Sequence, residues 1–144
     1  MTDKVESFQL DHRKVKAPYV RKADRLVGPR GDVVTKFDLR FLQPNAGAMP
    51  TDALHTLEHL LAVYLREELE GVIDLSPMGC RTGFYLTLFG EQEVEKVREA
   101  LKRALERVLA ATGVPAANEI QCGNFRDHSL AGAREYARAV LAAL

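Results

Sequence analysis

The chain has 144 residues, enough for one hydrophobic core and too few for two ordinary domains, so a single domain over 1–144 is expected. Its 20 basic and 20 acidic side chains cancel, which removes the electrostatic reason to expect nucleic acid or an anionic membrane as partner. No run approaches the roughly 18 consecutive apolar residues of a membrane span, the charged start Met1-Thr2-Asp3-Lys4 is not a signal peptide, and the two cysteines, Cys80 and Cys122, read as thiols kept reduced in the cytoplasm.

Val5, Phe8 and Leu10, set among polar residues, predict an extended arm or short strand over 3–12. Pro18, Gly28, Pro29 and Gly31 punctuate a loop-rich stretch. Its basic residues, among them Arg21, Lys22 and Arg25, read as a solvated edge. From Val33 to Leu42 the alternation of Val33, Thr35, Phe37, Leu39 and Phe41 with Lys36, Asp38 and Arg40 has the period of a half-buried strand. Pro44, Asn45, Gly47 and Pro50 make a loop, after which Thr51 or Asp52 is placed to cap a helix running to about Glu70. Leu54, Leu57, Leu61, Tyr64 and Leu65 form its apolar stripe, while His55, Glu58, His59 and Ala62 fall on an adjacent face.

Gly71 stops that helix, and Val72 to Ser76 reads as a short strand ending in the loop Pro77-Met78-Gly79-Cys80-Arg81-Thr82-Gly83. Phe84, Leu86 and Leu88 alternate with Tyr85, Thr87 and Phe89, and both sets are apolar enough for a central strand. Glu91 to Thr112 carries Val94, Val97, Leu101, Leu105, Val108 and Leu109 at helical spacing, ended by Gly113 and Pro115. The linker 116–125 could support a short strand around Ile120, and Ser129 is placed to cap a last, alanine-rich helix. This order predicts an α+β fold: a mostly antiparallel four-stranded sheet with helices packed on one face.

The stretch His55-Thr56-Leu57-Glu58-His59 reads H-x-x-E-H. On a helix, residues four apart lie nearly above one another, so the two imidazoles can hold one metal ion with Glu58 beside them. A catalytic site needs a third protein ligand, for which His12, His128, Cys80, Cys122, Asp74 and Glu119 are candidates. Glu119 stands at a separation compatible with a peptidase bearing this motif. Cys122 competes, because two histidines and a thiolate leave the fourth tetrahedral position open. Plainer readings stand beside these: Cys80 as a small buried hydrophobe, Asp38 and Arg40 as a surface ion pair, His12 as a solvated histidine, and His128 as a structural one.

Five blocks together resemble the S-ribosylhomocysteine lyase, or LuxS, family. They are Val5-Glu6-Ser7-Phe8-Gln9-Leu10-Asp11-His12, Lys36-Phe37-Asp38-Leu39-Arg40-Phe41, His55-Thr56-Leu57-Glu58-His59-Leu60-Leu61, Asp74-Leu75-Ser76-Pro77-Met78-Gly79-Cys80 and Pro115-Ala116-Ala117-Asn118-Glu119-Ile120-Gln121-Cys122-Gly123. The resemblance implies that His55, His59 and Cys122 bind one metal per subunit, usually ferrous iron, with zinc or cobalt able to substitute. It implies Glu58 and Cys80 as the acid–base pair, and Ser7, His12, Arg40 and Asp74 as substrate-binding residues. It further implies a homodimer with both active sites at the interface. The reaction implied splits S-ribosylhomocysteine into homocysteine and 4,5-dihydroxy-2,3-pentanedione, the precursor of autoinducer-2, by moving a carbonyl along the sugar and then eliminating the thiolate. Two readings compete with it: a small metallopeptidase using Glu58 to activate a metal-bound water, and a closed four-ligand site that only supports the fold.

Overall fold

A computed structural model describes residues 2–144. Helical turns open the chain, at Thr2–Lys4 and in α1 (Glu6–Gln9), where the sequence pattern suggested an extended arm. Then follow β1 (Tyr19–Val27), β2 (Val33–Arg40), α2 (Thr51–Glu68), β3 (Val72–Pro77), β4 (Gly83–Phe89), α3 (Val94–Ala110) and α4 (Leu130–Ala143). The four strands are antiparallel throughout, in the order β1-β2-β4-β3, so the α+β expectation holds and β4 is central.

One strand differs from expectation. β1 lies in the stretch whose prolines and glycines suggested loops. It is an edge strand whose outer half, Arg25 to Val27, is exposed, so it lacks a continuous apolar alternation, and its register shifts between Lys22 and Asp24. The strand expected near Ile120 does not form. That residue is 92% exposed in a run of turns, so its side chain has no buried face to hold it in a strand.

The core follows the two periods. Phe37, Leu39, Leu75, Phe84, Leu86 and Leu88 point to one face of the sheet and are buried against Leu57, Leu60, Leu61 and Leu65 of α2 and Val97, Leu101, Leu105 and Val108 of α3. Each such side chain contributes about 1.5–3 kcal/mol on full burial. Tyr64 packs against this core only partly buried.

The opposite face is polar where β1, β2 and β4 meet. Asp38 and Arg40, two apart on β2, are 0% and 2% exposed, which corrects the surface ion-pair reading. Gly83 makes this junction possible: a Cβ there would stand 2.2 Å from the Leu39 carbonyl oxygen, so no other residue lets the start of β4 lie against β2.

At the α2 N-terminus Pro50 is the cap position and Thr51 is already helical, so neither Thr51 nor Asp52 caps as expected. Ser129 does cap α4, its Oγ accepting from the Gly132 amide at 2.9 Å. Gly132 also sets the approach of α4 to α2, since a Cβ there would come within 2.9 Å of Ala53 Cβ. Among the described residues no helix is long and apolar enough to cross a membrane.

Candidate metal centre and flanking clefts

α2 presents His55 and His59 one turn apart, half-buried toward the segment that joins α3 to α4. Each ring is locked by a backbone carbonyl of that segment. His55 Nδ1 bonds the Asp127 carbonyl at 2.9 Å, and His59 Nδ1 bonds the Pro115 carbonyl at 2.7 Å. A carbonyl oxygen only accepts, so each Nδ1 carries the proton and each Nε2 keeps its lone pair.

Those Nε2 atoms converge on Cys122. The 118–122 loop presents it: Asn118 Oδ1 accepts from the amides of Ile120 and Gln121, and the Cys122 amide closes the turn on the Asn118 carbonyl at 3.0 Å. Cys122 Sγ stands 3.5 Å from His55 Nε2 and 3.8 Å from His59 Nε2. Ligand atoms bound at about 2.0–2.3 Å around a tetrahedral ion are separated by roughly 3.4–3.7 Å, so the three donors fit one divalent metal.

His128, assigned only a structural part from its position before α4, belongs to the same cluster. Its Nε2 is 3.8 Å from Cys122 Sγ, and the donor atoms of His55, His59, Cys122 and His128 all lie within 4.8 Å of one another. Burial, followed by the neighbouring His55 and His59, holds its imidazole below the ordinary histidine range. No spacing rule links a histidine six residues beyond a cysteine to an i, i+4 pair on another element. Its start beside α2 is what places it there.

The remaining site residues of the sequence reading divide between two clefts. The first, about 420 Å³, is lined by Glu58 and His59 from α2, Asp74 and Ser76 from β3, and Pro115 and Ala116. Glu58 Oε1 lies 3.9 Å from His59 Nε2, and Ser76 Oγ donates to Asp74. The second, about 300 Å³, is lined by Ser7, Phe8, His12, Arg40, Met78, Gly79, Cys80 and Tyr85. The chain thus gathers His55, His59 and Cys122 with Glu58 and Asp74 nearby, and gathers Ser7, His12 and Arg40 around Cys80. The linings of the two clefts share no residue. Glu119 does not join the cluster of possible metal ligands; it is exposed in the 118–122 loop.

The second cleft rests on a buried charge network. Arg40 bonds Asp38 through Nε at 3.0 Å and Nη2 at 2.9 Å, and Asp38 also accepts from the Tyr19 hydroxyl at 2.9 Å and from Arg21 at 3.2 Å. Burial pulls the Arg40 guanidinium down, and Asp38 more than offsets this, so it is held above its ordinary value and stays charged. Arg40 Nη1 donates to Thr82 Oγ1 at 3.0 Å, and that oxygen lies 3.1 Å from Cys80 Sγ. With its oxygen accepting from Arg40, the Thr82 hydroxyl has its own proton free to donate to the sulfur. Cys80 is exposed, in a turn closed by Arg81 N–H on the Met78 carbonyl, with Arg81 left-handed at φ 61. That rules out the reading of Cys80 as a small buried hydrophobe.

Comparison with known proteins agrees with this arrangement. The family profile described as S-Ribosylhomocysteinase (LuxS) matches residues 5–144. A protein of Clostridium botulinum (strain Alaska E43 / Type E3) named S-ribosylhomocysteine lyase is 64% identical over 139 residues, covering 96% of this chain and 92% of its own. Proteins of the same name from Clostridioides difficile (strain 630) and Deinococcus radiodurans are 63% and 56% identical, covering 96% and 95% of this chain and 92% and 87% of their own. The convergence of three metal-fitting donors and a match that runs from the α1 arm to the last residue lead to one statement: the chain belongs to the S-ribosylhomocysteinase (LuxS) family.

Proposed function

We propose that this protein is an S-ribosylhomocysteine lyase, cleaving its substrate to homocysteine and 4,5-dihydroxy-2,3-pentanedione. The observation that carries the reading is the convergence of His55, His59 and Cys122 beside Glu58, in a chain 64% identical to a protein of that name. His55, His59 and Cys122 would hold one ferrous ion per subunit, with zinc or cobalt able to replace it. Bound there, the ion supplies Lewis-acid stabilisation of charge developing on the sugar oxygens.

The chain's own residues move the protons. Breaking the carbon–sulfur bond requires a carbonyl two carbons away, so protons are taken from carbons beside a carbonyl and returned one position along before the thiolate leaves. Cys80 is the base in these isomerisations, its exposed sulfur facing the Thr82 hydroxyl that Arg40 orients. Glu58, half-buried beside the histidines, is the partner acid–base group and also serves the elimination. Ser7, His12 and Arg40 in one cleft, and Asp74 in the other, hold the substrate.

Cys80 and Glu58 line separate clefts of one chain, which motivates the quaternary part of the proposal. A cytoplasmic homodimer sets the Cys80 cleft of one protomer against the Glu58 cleft of its partner, completing two sites from two chains of 144 residues. The chain is one functional domain, and the product serves as the autoinducer-2 precursor.

Thiol release from S-ribosylhomocysteine by the purified, metal-loaded protein tests the reading. Cys80→Ala is expected to keep its metal and lose thiol release, while Cys122→Ala loses the metal. Full activity in Cys80→Ala would remove the base assignment. New amines from a peptide library, with no thiol from S-ribosylhomocysteine, would turn the reading to a metallopeptidase.

A further inference from the structure

His128 brings a third imidazole to within 3.8 Å of the Cys122 sulfur, and the lyase reading requires that it leave the fourth metal position open. We propose that His128 is not a ligand but a positioning residue. Its Nε2–H donates to the Cys122 thiolate, and Thr56 sets the tautomer that makes it a donor. The inference rests on the reading of His55, His59 and Cys122 as the metal ligands.

Two independent observations carry it. The first is the proton count at Thr56, which is 0% exposed. Its Oγ1 accepts from the Ser129 amide at 2.9 Å and lies 2.8 Å from His128 Nδ1. The hydroxyl proton therefore has His128 Nδ1 as its acceptor, and a buried hydroxyl proton left without one costs about 1–3 kcal/mol. With Nδ1 accepting, the ring proton sits on Nε2, and a protonated nitrogen cannot ligate a metal. His55 and His59 are set the opposite way, by carbonyls that only accept.

The second is the ring geometry. Two imidazoles bound to one tetrahedral ion splay apart and hold their centres roughly 5 Å apart. His55 and His59 meet this, at 4.7 Å and nearly perpendicular. His128 stands 4.7 Å from His59 as well, but it stacks on His55 at 3.9 Å with an interplanar angle of 24°, too close and too parallel for both of that pair to be ligands, and His55 is the one whose Nδ1 proton leaves Nε2 free. In that stack His128 Nε2 stands 3.8 Å from the sulfur, within reach of an N–H.

A hydrogen bond onto a thiolate lowers its donor strength, so its loss is read in the sulfur-to-metal charge-transfer band. Cobalt(II) is loaded into the unmodified protein, into His128→Gln, which keeps a side-chain N–H, and into His128→Leu, which does not. X-ray absorption of the unmodified cobalt protein is expected to count two imidazoles, one sulfur and oxygen ligands. His128→Leu is expected to bind one cobalt per chain within about 10–100-fold of the original affinity. Its charge-transfer band should move to longer wavelength, with His128→Gln in between. Three imidazoles in the unmodified protein would overturn the proposal, as would cobalt loss in His128→Leu as complete as in Cys122→Ala, or an unmoved band. Should the unmodified protein take up no cobalt, the metal reading itself falls, and this inference with it.

Discussion

Replacing Asp38 by Asn removes one charge at nearly constant volume and tests the buried network beneath the Cys80 cleft. Asp38 and Arg40 are 0% and 2% exposed, and the pair is bidentate at 3.0 and 2.9 Å. A hydrogen bond to a charged group is worth about 1.5–3 kcal/mol, and a buried charge stripped of its partner costs about 3–5 kcal/mol. Arg40 keeps Thr82 and at most one bond to the remaining amide oxygen but loses its counter-charge, while Arg21 can still turn to Glu6 at 2.5 Å, so the loss centres on Arg40. The expected destabilisation is therefore about 3–5 kcal/mol, or roughly 6–20 °C in Tm for a chain of this size. Urea and thermal unfolding measure it. The double variant Asp38→Leu with Arg40→Met, which removes both charges, should recover most of that stability although it forfeits a group proposed to bind substrate. A single-variant loss below about 1 kcal/mol, or a double variant no more stable than the single, would refute the account of Arg40 as a desolvated, partner-dependent cation.

Three further outcomes follow from particular contacts. Gly83→Ala, with its Cβ forced to 2.2 Å from the Leu39 carbonyl, should lose about 2–3 kcal/mol or more by thermal unfolding. Ser129→Ala removes the side-chain cap on the Gly132 amide and should cost about 1 kcal/mol, with helix fraying seen by amide exchange at the start of α4. In the metal-free protein, His128 is held below its ordinary value of 6.5 by burial first and by His55 and His59 second. The unfolded chain then takes up that proton at higher pH than the folded one. Stability is full above about 6.5 and falls as pH drops through that value toward the lower folded one. Urea midpoints in chelator between pH 5.5 and 8 should show this slope, and His128→Gln should flatten it.

What could be read from the sequence follows from where the physical signal is local. The 3.6-residue stripe of α2 and α3 and the alternation of β2 and β4 each record a single buried face, and each appears in the fold within a few residues of its expected ends. β1 escaped because an edge strand buries little. Its residues 21–25 are charged or small, and its order comes from pairing with β2 and from ion pairs to Glu6 and Glu91, both distant in sequence. The plainer reading of Asp38 and Arg40 as a surface ion pair fails for the same reason. Spacing on one strand places two charges on one face but cannot show that Tyr19, Arg21 and Thr82 will close over them.

The candidate metal centre shows the same limit at finer scale. The i, i+4 histidines are a local geometry and could be read directly, and the choice among third ligands came from matching blocks along the whole chain. His128 could not be recovered in that way, because its place depends on three contacts between distant segments. Ser129 bonds back to the Asp52 carbonyl and the Thr56 hydroxyl, and Gly132 lets α4 close on Ala53. A hydroxyl at position 56 is silent in sequence, since a buried threonine in a helix ordinarily signals nothing. On the proposed reading its single proton separates an imidazole able to bind metal from one that donates to the ligand sulfur. A site with three such rings is thus defined less by how many donors converge than by the groups behind them, two carbonyls and one hydroxyl, that decide which nitrogen of each ring carries the proton.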